Sequence, residues 1–341
     1  MRQNDKENED LKKGIRRTVA LFCVLCFLLS VVFSFSSCKR GRDDDGTVNI
    51  VCTAFPQYDW IRAIIGDDES FSLDLLVDNG SDLHSYQPTV ADRVEIAECD
   101  LLVSIGGESD AWVAEMLGES HDARHVKLFD IEGITLREIT AEGILSEHVH
   151  SEHEEHGEHH EHGSYDEHVW LSIKNAIVSV EYLKNILIEL APDSAERLSR
   201  SANSYIASLN TLAGEYESLT KDLKAPRLIF ADRFPFAYLT GDLGIEFCAA
   251  FDGCSTENNA DISTVTRLTE KADEWDAEYI LVTETSDKRL AKSVISASAS
   301  QSAEILVMDS MQSLTRARIN GGEDYLSIMR KNLEVLRTVF Y

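Results

Sequence analysis

The residues best suited to chemistry form a dense tract of histidine and glutamate in the middle of the chain. Residues 148–162 hold seven histidines and five glutamates. Imidazole nitrogen and carboxylate oxygen are ligands that Zn²⁺ and other borderline cations take in proteins. The tract has almost nothing apolar to bury, so we expect a solvated loop. The irregular spacing of the histidines predicts a shallow region that binds several metal ions. The alternative interpretation is a polar loop that binds nothing in particular. Its histidines are His148, His150, His153, His156, His159, His160 and His162.

Further metal-capable side chains follow apolar segments that read as strands. His84, Glu284 and Asp309 each come after such a segment, and His168 stands where the apolar pattern resumes beyond the tract. In open parallel sheets, ligands bind beyond the carboxyl ends of the strands. Each residue alone has an ordinary explanation, since a loop histidine is usually solvated and Asp309 could cap a helix. Their joint placement, together with the tract, favours a metal site.

These side chains need a scaffold, and the chain alternates strand and helix patterns on both sides of the tract. This order predicts an α/β protein with two Rossmann-like lobes, each a parallel sheet flanked by helices. Strands are predicted at 48–55, 70–77, 101–105, 125–129, 228–231, 246–251, 279–283 and 304–308.

One long helix is predicted between the lobes. Apolar residues recur at steps of four and three from Leu198 to Leu223, and Pro192 and Pro226 bound the pattern. This predicts about 30 helical residues, roughly 45 Å in length. The pattern could also form a coiled coil, but a single stretch in mid-chain favours a backbone helix with the metal cleft between two lobes. We expect the lobes at 48–190 and 226–341 and the linking helix at 191–225.

Length and charge bound the kind of partner. The chain has 341 residues, enough for two compact domains, and a formal net charge of −28. Binding to nucleic acid needs clustered lysine and arginine, so this charge argues against it. Direct adsorption to anionic lipid is disfavoured for the same reason. An acidic surface instead suits the attraction of cations.

The first 37 residues have the pattern of an export signal. Basic residues precede an uncharged apolar run from Val19 to Ser37. The run could also span a bilayer as an uncleaved anchor. Small residues before Cys38 resemble a lipoprotein cleavage box, although Phe35 replaces the usual leucine. We expect lipidation at Cys38, a tether at 38–47 and a folded part outside the cytoplasmic membrane.

The cysteines leave one question open. Cys248 and Cys254 are close enough in sequence to form a disulfide in an oxidising compartment. They could equally remain free thiols.

Several motifs together resemble one family, the substrate-binding lipoproteins of zinc and manganese ABC importers. From about Asn49 to the C-terminus the motifs follow that family's order. They are AFPQYDW at 54–60, SDLHSYQPTVADRVEIAECDLLVSIGG at 81–107, HVWLSIKNA at 168–176, RLIFADRFPFAYL at 227–239, AAFDGC at 249–254, ILVTE at 280–284 and ILVMDS at 305–310. A histidine-rich loop before HVW is similar to the zinc branch rather than the manganese branch.

The resemblance implies a ligand set and a departure from it. His84, His168 and Asp309 match three ligands of the family. The family's remaining ligand, a His or Glu after a short strand, falls at Ala231, which cannot bind a metal. We therefore expect two histidines and one aspartate to hold the ion, with Glu284 or water completing the shell. Asp232 and the tract are the other candidate donors.

The resemblance implies capture rather than catalysis. We expect an extracytoplasmic monomer whose function is to bind Zn²⁺ and deliver it to a membrane permease driven by an ATPase. An adhesin or zinc-storage lipoprotein on the same fold is an alternative. A secreted zinc hydrolase is disfavoured, because the chain has neither HExxH nor GxSxG and its HEEH at 153–156 is one residue too short.

Overall fold

The computed structural model describes residues 46–117, 123–139, 143–145, 165–255 and 260–341. The export signal, the lipidation site Cys38 and the tract at 148–162 lie outside these residues and stay predictions. Thr47–Tyr341 forms one compact unit. Within the described ranges, no helix combines the length and the apolar character needed to cross a membrane.

The first lobe is a parallel four-stranded sheet with its helices. The strand order is β2-β1-β3-β4. The central strands β1 and β3 are aliphatic and largely buried, as is usual where helices cover both faces of a parallel sheet. In chain order the elements are β1 Val48–Cys52, α1 Phe55–Ile65, β2 Phe71–Leu75, α2 Val90–Glu98, β3 Leu101–Ser104, α3 Trp112–Leu117, β4 Arg124–Lys127 and α4 Ile173–Leu190.

One long helix, α5 (Ala195–Thr220), follows the first lobe. It has 26 residues, which corresponds to about 39 Å. It is shorter than predicted because the chain turns after it, where the Leu223 N–H donates to the Thr220 carbonyl at 3.1 Å. Its apolar stripe packs against α1 and α4. The buried residues of the stripe are Leu198, Ala202, Leu209, Leu212, Tyr216 and Leu219.

The second lobe is another parallel four-stranded sheet, in the order β6-β5-β7-β8. Its elements are β5 Arg227–Phe234, α6 Ala237–Leu243, β6 Glu246–Asp252, α7 Ile262–Glu274, β7 Tyr279–Thr283, α8 Arg289–Ala297, β8 Glu304–Met308, α9 Arg316–Asn320 and α10 Tyr325–Phe340. The two sheets confirm the predicted α/β class. β5 continues three residues beyond the predicted end at Ala231, because its register with β6 shifts between Phe230 and Arg233.

A buried aromatic junction holds the lobes together. The rings of Trp60 and Tyr325 meet edge to face, with centroids 5.5 Å apart. The Tyr325 hydroxyl donates to the carbonyl of Trp170 at 2.6 Å, and the Trp170 indole N–H donates to the carbonyl of Ser310 at 2.9 Å. One hydrophobic cluster spans both sheets. The junction therefore fixes the loops after the strands of both lobes relative to each other.

Candidate metal centre

His84 is positioned by a capped turn after β2. The Asp82 carboxylate accepts the His84 backbone N–H at 3.0 Å and caps the short 3₁₀ turn Leu83–Ser85. The same carboxylate forms an ion pair with Arg233 of β5. The turn that carries His84 is thus tied to the second lobe, and the imidazole is almost fully buried.

His168 is fully buried and is oriented by Asp166. One Asp166 oxygen accepts both the His168 backbone N–H, at 2.8 Å, and the ring Nδ1–H, at 2.9 Å. A histidine whose Nδ1–H is held by a carboxylate keeps the Nε2 lone pair free for a metal. That Nε2 lies 3.2 Å from Nε2 of His84. The two predicted histidines are therefore brought together with their free nitrogens facing each other.

The third member of the group is Cys254, in the loop after β6. One potential ligand atom from each of His84, His168 and Cys254 lies within 4.8 Å of the others. Within the described ranges, this is the one group of three or more His, Cys, Asp or Glu donors that meets this spacing. The sequence indicates Cys254 as a possible disulfide partner and does not by itself identify it as a ligand. Its position just after a strand, in AAFDGC, was the signal that could have identified it.

The two cysteines of this region are free thiols in the structure. Cys248 is buried in β6 within the hydrophobic cluster of the second lobe. Cys254 instead lies beside the histidine pair. Its sulfur is therefore available to a metal.

The two predicted carboxylates lie outside the group. The Asp309 carboxylate accepts hydrogen bonds from the guanidinium of Arg318 and from the backbone N–H of Met311. The Glu284 carboxylate accepts the N–H and hydroxyl of Ser310, at 2.9 and 2.8 Å. Both residues lie after strands as expected. The guanidinium of Arg318 already binds the carboxylate of Asp309, and Ser310 already binds that of Glu284. The structure does not bring them to the histidine pair.

The position where the family would place a further ligand offers no donor, and a cation follows two residues later in the same strand. Ala231 is buried in β5 and offers no donor. At the end of the same strand, the Arg233 guanidinium pairs with Asp82 and donates to the Ser255 carbonyl at 3.3 Å. Asp232 accepts hydrogen bonds from the backbone N–H and hydroxyl of Thr283. No ligand from β5 therefore reaches the histidine pair.

The electrostatics of the three donors follow from their burial. Burial, reinforced by the facing His168 ring, lowers the pKa of His84 to about 4. Burial also disfavours charge on His168, but the Asp166 carboxylate outweighs it and raises the pKa of His168 well above its ordinary value. Burial raises the pKa of the Cys254 thiol. A metal that binds all three donors must therefore displace protons.

A cleft of about 640 Å³ opens beside His84. Both lobes line it, with Asp82 and His84 on one side and Ala231, Arg233, Asp287 and Arg289 on the other. The cleft gives the histidine pair a route to solvent.

Removal of the Asp166 carboxylate should weaken zinc binding although Asp166 need not touch the ion. We expect Asp166→Ala to raise the zinc dissociation constant about 10- to 100-fold, since the His168 ring loses the partner that fixes its orientation. Competition with a chromophoric chelator measures this. The exposed Asp193→Ala is the matched control and should bind as the wild type does. Equal affinity of all three proteins would contradict the orienting role.

The chain is similar to known proteins in both sequence and fold. Residues 50–339 match the family model described as ZnuA, zinc-uptake complex component A, periplasmic. The zinc-binding lipoprotein AdcA of Streptococcus pneumoniae is 29% identical over 326 residues, which cover 95% of this chain and 61% of that protein. The high-affinity zinc uptake system protein ZnuA of Bacillus subtilis is 27% identical over 313 residues, 92% of this chain and 94% of that protein.

A solved structure agrees with these matches. The Zn(II)-bound ZnuA-like domain of Streptococcus pneumoniae AdcA aligns with a TM-score of 0.68 at 25% identity, covering 86% of this chain and 99% of that domain. The chain thus spans about three fifths of the AdcA relatives that it matches.

Proposed function

The chain belongs to the ZnuA family of zinc-uptake components, and on that premise we propose that it is the extracytoplasmic Zn²⁺-binding component of an ABC importer. The observation that carries the proposal is the His84–His168 pair, with Nε2 atoms 3.2 Å apart beside a cleft between the lobes. Two nitrogens bound to one tetrahedral Zn²⁺ at about 2.0–2.1 Å lie roughly 3.3 Å apart. The pair therefore has the spacing of two ligands of a single ion.

The surroundings of the pair suit a cation that is held and later released. Carboxylates lie behind both rings, Asp166 at 2.9 Å from Nδ1 of His168 and Glu167 at 3.7 Å from Nδ1 of His84. Glu167 is itself fixed by Ser109, whose N–H and hydroxyl donate to it. These negative charges offset the charge of the buried dication. We propose capture and delivery, with no catalytic step.

The remaining parts of the proposal concern the anchor, the partners and the tract. We propose that Cys38 carries a lipid, that residues 38–47 tether the folded unit, and that a permease with its ATPase receives zinc from a monomer. The tract at 148–162 would collect ions and pass them to the cleft. The names of the relatives, a zinc-binding lipoprotein and a zinc uptake protein, support this scheme. Asp309 could bind the ion only by releasing Arg318, and Glu284 could bind it only by releasing Ser310.

Zinc titration of Thr47–Tyr341 tests the site. We expect one tight zinc that disappears in the His84→Ala/His168→Ala double variant and persists when residues 148–162 are deleted. The matched control is His125→Ala, because His125 lies on β4 and its ring bonds to the Ser104 hydroxyl. If the double variant keeps the tight zinc, the cleft is not the binding site.

Delivery needs a separate measurement, because an adhesin or storage protein would pass the titration as well. Growth of the source cells under zinc limitation should require both this chain and an intact permease. The double variant should fail to support that growth. Growth independent of the permease would contradict the transport role.

A further inference from the structure

We propose that the thiolate of Cys254 is the third protein ligand of the captured ion, so that the centre is a His₂Cys site for thiophilic divalent metals. The inference rests on the proposed function and deepens it, because it names the class of metal that the cleft accepts. It replaces the missing donor of β5 with a donor from the loop that follows the next strand, β6.

The distances bring the sulfur into the coordination range. The ligand atoms of His84, His168 and Cys254 all lie within 4.8 Å of one another. For a tetrahedral Zn²⁺ with Zn–N of about 2.0–2.1 Å and Zn–S of about 2.3 Å, a nitrogen and a sulfur ligand lie roughly 3.5 Å apart. A side-chain adjustment of about 1.3 Å at most closes the difference between 4.8 Å and that separation. One ion can therefore reach all three atoms.

The loop that carries Cys254 is shaped to approach His168. A Cβ added at Gly253 would lie 2.8 Å from the Phe234 carbonyl and 3.0 Å from Cε1 of His168, so the close approach requires glycine. The Cys254 backbone N–H donates to the Asp252 carboxylate at 3.0 Å. The Arg233 guanidinium holds the next residue of the loop through the Ser255 carbonyl. The position of the sulfur is thus set by several independent contacts.

The alternative protein donors are engaged elsewhere. Asp309 pairs with Arg318, and Glu284 binds Ser310 through both of its oxygens. A carboxylate could replace the thiolate only after breaking these contacts. Cys254 is a free thiol beside the histidine pair, and it binds a metal once it loses its proton.

A thiolate changes which metals the cleft prefers. Thiolate ligands favour Zn²⁺ and similar softer cations, whereas Mn²⁺ and Mg²⁺ prefer carboxylate, carbonyl and water oxygens. Two imidazoles and one thiolate leave a fourth position for water or another donor. The structure therefore favours zinc over manganese through its protein ligands alone.

Cobalt is the probe for the sulfur ligand. Thr47–Tyr341, the compact unit that holds both sheets, is loaded with one equivalent of Co²⁺ and its near-ultraviolet absorption is recorded. The wild type should show a thiolate-to-cobalt charge-transfer band. Cys254→Ala should lose this band and bind zinc about 100-fold more weakly, as expected for one of four ligands. Cys248→Ala is the matched control and should keep both band and affinity.

Two further variants decide between sulfur and carboxylate. Cys254→Asp should narrow the preference for zinc over manganese, since it substitutes an oxygen donor. Asp309→Ala should leave the zinc affinity unchanged. If Cys254→Ala keeps the wild-type affinity and Asp309→Ala loses it, the carboxylate is the third ligand and the Cys254 assignment is overturned. That outcome leaves the proposed function standing, which fails instead if the His84→Ala/His168→Ala variant still binds tightly or if growth under zinc limitation is independent of the permease.

Discussion

Zinc at about 1,000 times its dissociation constant is expected to raise the free energy of unfolding of Thr47–Tyr341 by about 4 kcal/mol. The reason is the separation of the donors along the chain. His84, His168 and Cys254 come from three distant loops and meet only when both lobes are folded. Because the site does not exist in the unfolded chain, its binding energy adds to the folding energy. For a unit of roughly 300 residues this corresponds to a midpoint about 6–7 °C higher.

Thermal unfolding with zinc and with a chelator measures this stabilisation. The His84→Ala/His168→Ala variant is the control that isolates the cleft. A solvated histidine tract would bind zinc in the folded and the unfolded chain alike, so it would contribute little to the shift. A shift of several degrees that survives in the double variant would therefore place the stabilising site elsewhere.

Trp170→Ala is expected to lower the free energy of unfolding by about 3–5 kcal/mol. The Trp170 side chain is fully buried and lies at the junction of the two lobes. Its indole N–H donates to the Ser310 carbonyl, and its own carbonyl accepts the Tyr325 hydroxyl. Alanine would leave a cavity between the lobes and an unpaired carbonyl at Ser310.

Denaturant unfolding by urea measures the loss, and two variants separate its causes. Trp170→Phe keeps a large aromatic ring but removes the indole N–H and part of the ring volume, so we expect a smaller loss of about 1–3 kcal/mol. Trp112→Ala is the matched control, because Trp112 is only partly buried at the side of the first lobe. It should lose less than Trp170→Ala does. Equal losses at Trp170 and Trp112 would show that the junction carries no special share of the stability.

The Trp170→Ala substitution should also disturb the metal site. The Trp170 ring packs against the His168 ring with centroids 5.2 Å apart. A cavity behind His168 frees the ring to move, so zinc affinity should fall together with stability. An unchanged affinity in the Trp170→Ala protein would indicate that Asp166 alone fixes the imidazole.

The strands were predictable because their signal is local. β7 and β8 have the predicted bounds, Tyr279–Thr283 and Glu304–Met308, since each is a short apolar run between polar turns. The family followed from short motifs, which are also local. The rule that ligands lie beyond the carboxyl ends of parallel strands pointed to His84, whereas His168 was singled out by its place beyond the tract and by the HVW motif. That rule depends only on where each strand ends.

Local sequence signals predicted the ends of helices and strands less accurately. The heptad-like pattern continues to Leu223, but α5 ends at Thr220. β5 runs past Ala231 because its register with β6 shifts, a property of two paired strands rather than of one. The extra residues bring Arg233 to the edge of the cleft, where the sequence indicates only the absence of a ligand.

The set of side chains that converge was decided by the tertiary structure. Asp309 is at the end of a strand as predicted, but Arg318 neutralises it there, and Arg233 meets Asp82 from 151 positions away. Cys254 reaches the histidines because Gly253 lets its loop approach His168. The sequence by itself determined most of the strands, the family and the choice of the two histidines as candidate ligands, each through neighbouring residues. Only the folded chain decided which donors share one point in space, because that depends on ion pairs and loop contacts between residues far apart in sequence.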